Sequence, residues 1–349
     1  MGQQQHTDVG FRTVLLVTLV AILSVLDGCR ESEMEVVPPT EWAVYTTGNS
    51  ELPDNHVQTI ATDRSIIWIG TPKGLARVGG TNWVVYDSTN SPLPSSSITA
   101  LTVDAFRRVW VGTNRGLASF DGVNWSLYTV QNGTLANDTI TALAANSNGP
   151  VLVGTGRGVA LYNGAGWTVY NDSTSGLTDK LVRSVALDEN GVLWVGTFDP
   201  SVLQGRLWRF DGETWTRSRL EERGLPSSVP TALVIEADTI PWLGVSSATG
   251  GALVQITGSV WTIYNSANSG LPNSSITSLA LEGSVKWIGC GNGLVSFDGS
   301  QWRVFNRGNS GLPLDSVLAV GVDREGNKWI GTAGSGVGVY QAGGVVIVN

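Results

Sequence analysis

The stretch WVVYDSTNSPLPSSSITALTVDAFRRVWVGTNRGLASFDG, residues 83–122, contains one complete unit of a pattern that recurs along the chain. It holds four short runs rich in Val, Ile, Trp and Thr, separated by Asn, Asp, Gly and Pro. Runs of this kind, bounded by turn residues, predict β-strands joined by tight turns. We therefore expect strands at Ile98–Val103, Val109–Thr113 and Gly116–Phe120, followed by Trp125–Tyr128 as the outer strand.

The unit occurs seven times, and each copy opens on a tryptophan. Successive opening tryptophans are separated by 41, 42, 42, 48, 46 and 41 residues. They are Trp42, Trp83, Trp125, Trp167, Trp215, Trp261 and Trp302. A period of this length with four short strands is typical of a propeller blade. The sequence predicts an all-β chain in which residues 42–349 form one seven-bladed β-propeller of four-stranded antiparallel blades.

This count leaves the run Trp42–Tyr45 without a blade at the N-terminal end. The last copy ends on a weak apolar run at residues 345–348, which follows Gly343 and Gly344. Trp42–Tyr45 matches the outer-strand pattern better than that tail does. We expect it to complete the seventh blade and to close the ring, which removes an exposed strand edge. The alternative is closure by residues 345–348.

Four short motifs recur at fixed places in the unit, for example NSGLP at residues 309–313, WIGT at 329–332, GL at 293–294 and FDG at 297–299. With these motifs the chain resembles the two-component regulator propeller repeat family, from about residue 42 to its end. The resemblance implies a sensing role, because members commonly form the extracytoplasmic region of hybrid histidine kinases that respond to glycans. Those sensors usually carry two propellers and a kinase region. We therefore expect only the binding half of that function here.

Residues 1–28 predict a lipoprotein signal peptide. An apolar run at residues 13–26 is too short for a membrane-spanning helix and suits a signal-peptide core. The sequence LDGC at residues 26–29 resembles a bacterial lipobox, although its aspartate is unusual there. We expect Cys29 to be lipidated, residues 29–41 to form a tether, and the protein to be exported to the periplasmic or cell-surface side of a bacterial membrane. An ordinary secretory signal or an uncleaved anchor is the alternative.

The net charge and the cysteine content restrict the expected binding partners and disulfide bonds. The formal net charge of −8 argues against nucleic acid, which favours a basic face. If Cys29 is lipidated, Cys290 has no disulfide partner. Cys290 stands where other copies have Thr, so we expect a small buried residue and not a reactive thiol.

Few residues of the predicted domain are suited to catalysis or to metal binding. His6 precedes the signal core, which leaves His56, and one imidazole cannot build a histidine-rich metal site. We expect His56 to be a solvated loop residue, and we predict no metal and no cofactor. Acidic residues recur at equivalent turn positions, where we expect them to cap turns. They are Asp63, Asp104, Asp188 and Asp323.

The predicted ligand site lies in the loops between the second and third strands of the blades. Lys73, Arg115 and Arg157 occupy the same register in three successive blades, each just before a glycine. We call these three residues the basic arc; side by side they would bind a carboxylate, sulfate or phosphate group. Asn292 holds this position in the sixth blade, and the enlarged loop of the fourth blade contributes Phe198. The alternative is a polar turn position that tolerates any long side chain.

Together these features predict a propeller that binds a ligand or a protein partner without catalysis. The basic arc and the family resemblance favour an anionic glycan fragment. Two alternatives stay open. One is a lyase or hydrolase at the channel mouth, and the other is a structural subunit of an envelope complex with a broad exposed apolar patch. The candidate residues for the enzyme are Asp54, His56, Arg157 and Asp179.

Overall fold

The computed structural model describes residues 40–177, 181–345 and 347. The predicted signal peptide, Cys29, most of the tether and Asp179 lie outside the described residues. Within them the chain forms 28 β-strands and one 3₁₀ turn at Glu221–Arg223. No helix in this part of the chain is long and apolar enough to cross a membrane.

The strands form seven four-stranded antiparallel sheets, one for each blade, and the first strand of a blade is its inner strand. Blade 1 contains β2 (Thr59–Asp63), β3 (Ile66–Thr71), β4 (Gly74–Gly79) and β5 (Asn82–Tyr86). Blade 2 contains β6 (Ile98–Val103), β7 (Val109–Thr113), β8 (Gly116–Phe120) and β9 (Trp125–Tyr128). Blade 3 contains β10 (Ile140–Ala145), β11 (Val151–Thr155), β12 (Gly158–Tyr162) and β13 (Trp167–Tyr170). Blade 4 contains β14 (Val182–Leu187), β15 (Leu193–Asp199), β16 (Gln204–Phe210) and β17 (Trp215–Arg219).

Blade 5 contains β18 (Val229–Glu236), β19 (Ile240–Ser247), β20 (Gly250–Thr257) and β21 (Val260–Tyr264). Blade 6 contains β22 (Ile276–Glu282), β23 (Val285–Cys290), β24 (Gly293–Phe297) and β25 (Trp302–Phe305). Blade 7 contains β26 (Val317–Val322), β27 (Lys328–Thr332), β28 (Val337–Tyr340) and β1 (Trp42–Tyr45). The predicted seven-bladed propeller is therefore confirmed.

Strand β1 closes the ring, as predicted. It pairs antiparallel with β28, with Trp42 opposite Tyr340, and the two rings lie 4.8 Å apart between centroids. Closure by residues 345–348 is wrong: the described part of that tail contains no strand. Val345 lies beside the start of the closing strand, where its backbone N–H donates to the Thr40 carbonyl at 3.0 Å.

The opening tryptophans pack between blades. Trp125 lies on the outer strand of blade 2, and its ring centroid is 5.5 Å from that of Tyr86 on the preceding outer strand. The same contact recurs at five further boundaries, where the opening Trp of one outer strand meets the aromatic residue that ends the preceding one. Strand β17 ends on Arg219, so Trp261 of blade 5 has no such aromatic partner among the described residues. The other pairs are Trp42–Phe305, Trp83–Tyr45, Trp167–Tyr128, Trp215–Tyr170 and Trp302–Tyr264.

Acidic residues at the turn after the inner strand cap that turn and bind an indole. Asp104 accepts hydrogen bonds from the backbone N–H groups of Phe106 and Arg108, and its Oδ2 accepts one from Trp110 Nε1 at 2.9 Å. Asp188 and Asp323 also cap their turns, which confirms the prediction for three blades. The structure differs at Asp63, which forms an ion pair with Arg107 of the next blade at 2.9 Å. The further acid–indole pairs are Asp323–Trp329, Glu236–Trp242 and Glu282–Trp287.

Candidate functional site

The hairpins between the second and third strands share one backbone design, which fixes the register of the basic arc. In blade 2 the Thr113 hydroxyl donates to the Gly116 carbonyl at 2.8 Å and accepts from the Arg115 N–H at 3.1 Å. Gly116 has φ of +132°, a conformation that side chains other than glycine rarely adopt. The backbone N–H groups of Lys73 and Arg157 donate the same bond to the threonine hydroxyl in their own blades.

These hairpins lie on one face of the propeller, together with the connections from each outer strand to the next inner strand. We call it the upper face. Blades 1, 2 and 3 are neighbours, because β6 contacts both β2 and β10. All three side chains of the arc are exposed. The structure therefore places Lys73, Arg115 and Arg157 on one face of three adjacent blades.

The members of the arc differ in their partners. Lys73 Nζ lies 2.8 Å from Asp54 Oδ2, and this hydrogen bond, with a second from the His56 backbone N–H, holds the pKa of Asp54 below its usual value. Arg115 and Arg157 have no ion-pair partner among the described residues. Their two guanidinium groups are the part of the arc that is free to meet an anion.

The other two predicted site residues lie apart from the arc. Phe198 belongs to strand β15, where it pairs with Gly205 and is half-buried, because β15 and β16 extend into what was predicted as a loop. Asn292 is exposed on the hairpin of blade 6, and blade 7 separates it from the arc. None of the five residues lines either cavity of the central channel described below.

The inner strands surround a cavity of about 210 Å³ at the upper end of the channel. In blades 2 to 7 a β-bulge near the start of the inner strand leaves one residue unpaired at this level. Bulges re-aim side chains, and here the bulged residue of every one of these blades lines the cavity. The bulged residues are Thr99, Thr141, Arg183, Thr231, Thr277 and Leu318, and Gln58 lies at the matching place in blade 1.

Arg183 is the functional candidate that the sequence interpretation missed. It is exposed, and it is the one charged side chain among the described residues that line this cavity. It occupies a position where three other blades have Thr bonded to the neighbouring blade. Aligning the inner strands, for example ITAL at residues 98–101 with VRSV at residues 182–185, would have revealed it. The sequence interpretation considered loops only, so an arginine inside a strand was passed over.

Three of the threonines that line the upper cavity connect neighbouring blades. Thr99 Oγ1 donates to the Ile140 carbonyl at 2.7 Å, and Thr231 and Thr277 make the same bond to the next inner strand at 2.7 and 2.8 Å. Thr141 differs, because its hydroxyl is buried and has no hydrogen-bond partner in the described part of the chain. It lies on β10, whose neighbour β14 carries Arg183.

A second cavity of about 330 Å³ occupies the lower end of the channel. The two cavities share Leu143, Val185 and Leu233, which form an apolar waist. The lower cavity is acidic, since the charged residues that line it in the described part of the chain are Asp188, Glu189 and Asp238. The channel is thus polarised, with a cation at its upper end and carboxylates at its lower end.

Two of the candidates for catalysis, Asp54 and His56, have structural partners. His56 is half-buried and not solvated as predicted, because its ring Nδ1 lies 2.9 Å from the Ala333 carbonyl of blade 7. Asp54 is bound by Lys73, and Arg157 lies on the hairpin of blade 3. Cys290 is buried, and desolvation raises the pKa of its thiol to about 12, which confirms a buried residue with little thiolate.

The repeats are also recognisable by comparison with known families. Residues 92–115 and 176–199 match the two component regulator propeller. The chain carries two-component regulator propeller repeats. The first matched segment runs from the connection before β6 to the hairpin that holds Arg115, and the second ends within β15. No curated protein matches the chain.

Solved structures share the fold of these repeats at low sequence identity. The extracellular domain assigned to the hybrid two component system BT3049 of B. thetaiotaomicron matches with a TM-score of 0.71 and 20% identity over 87% of this chain and 42% of that one. The corresponding domain assigned to BT4673 gives 0.64 and 18% over 88% and 40%. The chain thus spans about two fifths of the length of these sensor domains. Virginiamycin B lyase from Staphylococcus aureus gives 0.67 and 14% over 86% and 99%.

Proposed function

We propose that this chain is an exported, non-catalytic binding propeller whose upper face recognises a ligand or a protein partner, in the manner of a sensor. The observation that carries the proposal is the pair of exposed guanidinium groups, Arg115 and Arg157, at one register of adjacent blades and without ion-pair partners among the described residues. Guanidinium groups suit carboxylate and sulfate because they donate two parallel hydrogen bonds. An anionic glycan fragment fits this chemistry.

Lys73, Asn292 and Phe198 belong to this proposal as peripheral contacts of the same face. Lys73 would have to exchange Asp54 for the ligand, so we expect it to contribute less than the two arginines. Asn292 and the half-buried Phe198 lie on other blades and would be reached only by an extended ligand or by a protein surface.

Export and anchoring complete the proposal. A signal peptide at residues 1–28, a lipidated Cys29 and a tether to residue 41 would hold the propeller near a bacterial membrane. The fold shared with the extracellular domains assigned to two-component systems supports a location outside the cytoplasm. Metabolic labelling with a radioactive fatty acid tests the anchor: the native chain should incorporate label, and Cys29→Ser should not.

Catalysis and a purely structural role have less support. Asp54 and His56, two of the candidate residues of the enzyme alternative, are each held by a partner within the propeller. The exposed large apolar side chains are distributed over separate blades, such as Val123 on blade 2, Val202 on blade 4 and Val260 on blade 5. A scaffold would favour one contiguous apolar patch.

The test is a calorimetric titration of the full chain with acidic and neutral oligosaccharides of matched length. We expect binding of the acidic series, and a loss of at least about tenfold in affinity for Arg115→Ala plus Arg157→Ala, since each variant removes a charge-assisted contact. The matched control is Arg303→Ala plus Arg324→Ala, which changes the net charge equally on blades 6 and 7. Unchanged affinity in the arc variant would overturn the proposed role of the arc, and no binding of any acidic sugar would overturn the choice of glycan.

A further inference from the structure

The upper end of the channel carries a cation at a position where other blades have a structural hydroxyl. Arg183 has no ion pair among the described residues, and no described residue that lines the upper cavity carries a carboxylate. At the same bulge position Thr99, Thr231 and Thr277 each donate to the next blade, whereas Arg183 is exposed and lines the cavity. Its guanidinium group is therefore available to a ligand in the channel.

The chemistry of the wall favours an anion. A guanidinium group donates several hydrogen bonds and accepts none. Arg183 lies at the bulge position of its inner strand, and its side chain lines the cavity. A planar carboxylate can accept two parallel bonds from a guanidinium fork.

Charge and size restrict the anion further. Among the described residues, one cation faces the upper cavity and three carboxylates line the lower cavity, and the chain has a formal net charge of −8. The field of the whole molecule therefore disfavours a multiply charged guest. The cavity of about 210 Å³ ends below at the apolar waist formed by Leu143, Val185 and Leu233. A single carboxylate with a short apolar portion matches both ends of this space.

We propose that the upper channel is a monocarboxylate site, in which Arg183 binds the carboxylate through two parallel hydrogen bonds. The apolar part of the ligand points toward the waist. This site is separate from the basic arc, whose residues do not line the cavity, and it does not depend on the proposed recognition of glycans. A ligand of the upper face with a terminal carboxylate could also occupy it.

The experiment uses fluoroacetate as a probe of the site and the full chain of the protein. Broadening of the ¹⁹F resonance on addition of protein reports weak binding directly, and competition identifies the recognised group. We expect saturable binding that acetate displaces. Acetamide, which has the same shape without the charge, should not displace the probe, and inorganic phosphate should compete more weakly than acetate at equal ionic strength.

Variants then locate the site. Arg183→Gln should weaken binding by at least about tenfold, and Arg183→Lys should retain part of it because charge remains without the fork. The control Arg303→Gln removes an equal charge from the exposed outer strand of blade 6 and should bind like the native chain. A melting temperature for each variant verifies that the fold is retained.

The results of these binding experiments distinguish failure of the channel site from failure of the proposed function. Equal binding by Arg183→Gln and the native chain would overturn the proposal, as would displacement by acetamide or stronger competition by phosphate. If the probe binds normally while the arc variant loses its oligosaccharide, the two sites are independent. If the probe fails to bind but oligosaccharides bind, the channel site is wrong and the proposed function stands.

Discussion

The boundary between blades 7 and 1 and the boundary between blades 3 and 4 solve the same packing problem with different polar contacts. At the first boundary, Thr62 Oγ1 donates to the Val322 carbonyl at 2.8 Å, and the Val57 N–H donates to the Thr332 carbonyl at 2.9 Å. His56 adds a bond to Ala333. These contacts run along the inner strands and the upper face of the closing blade.

At the boundary between blades 3 and 4, the described polar contacts lie at the lower face. Asn146 Nδ2 donates to the Asp188 carbonyl at 3.0 Å, and the Ser147 hydroxyl donates to Glu189 Oε2 at 2.7 Å. At the upper end, Thr141 has no partner in the described part of the chain and Arg183 faces the cavity.

This difference separates a boundary that must hold the ring from one that leaves room for a ligand. Blade 7 is assembled from both ends of the chain, so its contacts resist opening of the ring. Blades 3 and 4 are continuous in sequence, and the chain itself limits their separation. A missing hydrogen bond there costs less in ring closure, and Arg183 faces the cavity beside it.

The largest expected effect is on the closing blade. A chain that lacks residues 1–45 loses β1, and with it the packing of Trp42 on Tyr340 and of Tyr45 on Trp83. Removing a single large buried aromatic side chain typically costs about 3–5 kcal/mol, so we expect the free energy of unfolding to fall by at least that amount. Circular dichroism melting measures the change.

The matched control for this deletion is a chain that lacks only residues 1–39 and keeps β1. A synthetic peptide of residues 40–47 should restore part of the lost melting temperature when added to the shorter chain. Equal melting temperatures of the two deletions would show that β1 does not hold the ring, and the contrast between the two boundaries would fail.

A smaller effect distinguishes the two threonines directly. Thr62→Val leaves the Val322 carbonyl without its donor and should lower the free energy of unfolding by about 1–2 kcal/mol. Thr141→Val removes a hydroxyl that has no partner among the described residues, so the change should stay within about 0.5 kcal/mol of zero. Urea denaturation of both variants provides the comparison. A cost for Thr141→Val as large as that for Thr62→Val would mean that Thr141 is bonded in the native protein.

The sequence predicted most of the fold because its pattern is carried by local rules. The period of the opening tryptophans sets the number of blades, and the match of Trp42–Tyr45 to the outer-strand pattern predicts the closure. The same register places Lys73 and Arg115 on equivalent hairpins, since a threonine hydroxyl and a glycine shape each one.

The sequence did not predict which residues line the upper cavity of the channel. Whether a strand residue faces a neighbouring blade or the channel depends on the bulge between Val182 and Ser184, a pairing irregularity that composition does not reveal. The prediction that His56 is a solvated loop residue was also wrong. Its partner, the Ala333 carbonyl, lies 277 residues away in sequence and could not be recognised from local residues. The prediction of a loop at Phe198 was wrong because β15 extends through this residue by pairing with Gly205. The turn residues nearby in the sequence had favoured a loop.

The smallest expected effect is on the pH dependence of stability. It concerns Asp54, in the loop that adjoins the closing blade. Lys73 and the His56 N–H lower the pKa of Asp54, so the ionised carboxylate stabilises the fold. A carboxyl whose pKa is lowered on folding contributes stability above its unfolded value, and that contribution disappears as the pH falls through the folded value. Asp54→Asn should therefore cost no more than about 1 kcal/mol at pH 7, because Lys73 is largely exposed to solvent.

Urea midpoints of the native chain and Asp54→Asn, measured from pH 7 to pH 3, check this prediction. The difference between them should shrink once the pH falls below about 4, where the unfolded carboxyl begins to bind a proton. Lys73→Gln should reproduce the effect at pH 7, since it removes the same pair from the other side. A difference that stays constant to pH 3 would assign the contribution of Asp54 to its uncharged contact with the His56 backbone, and the loop would then be held at the closing boundary by hydrogen bonds without the ion pair.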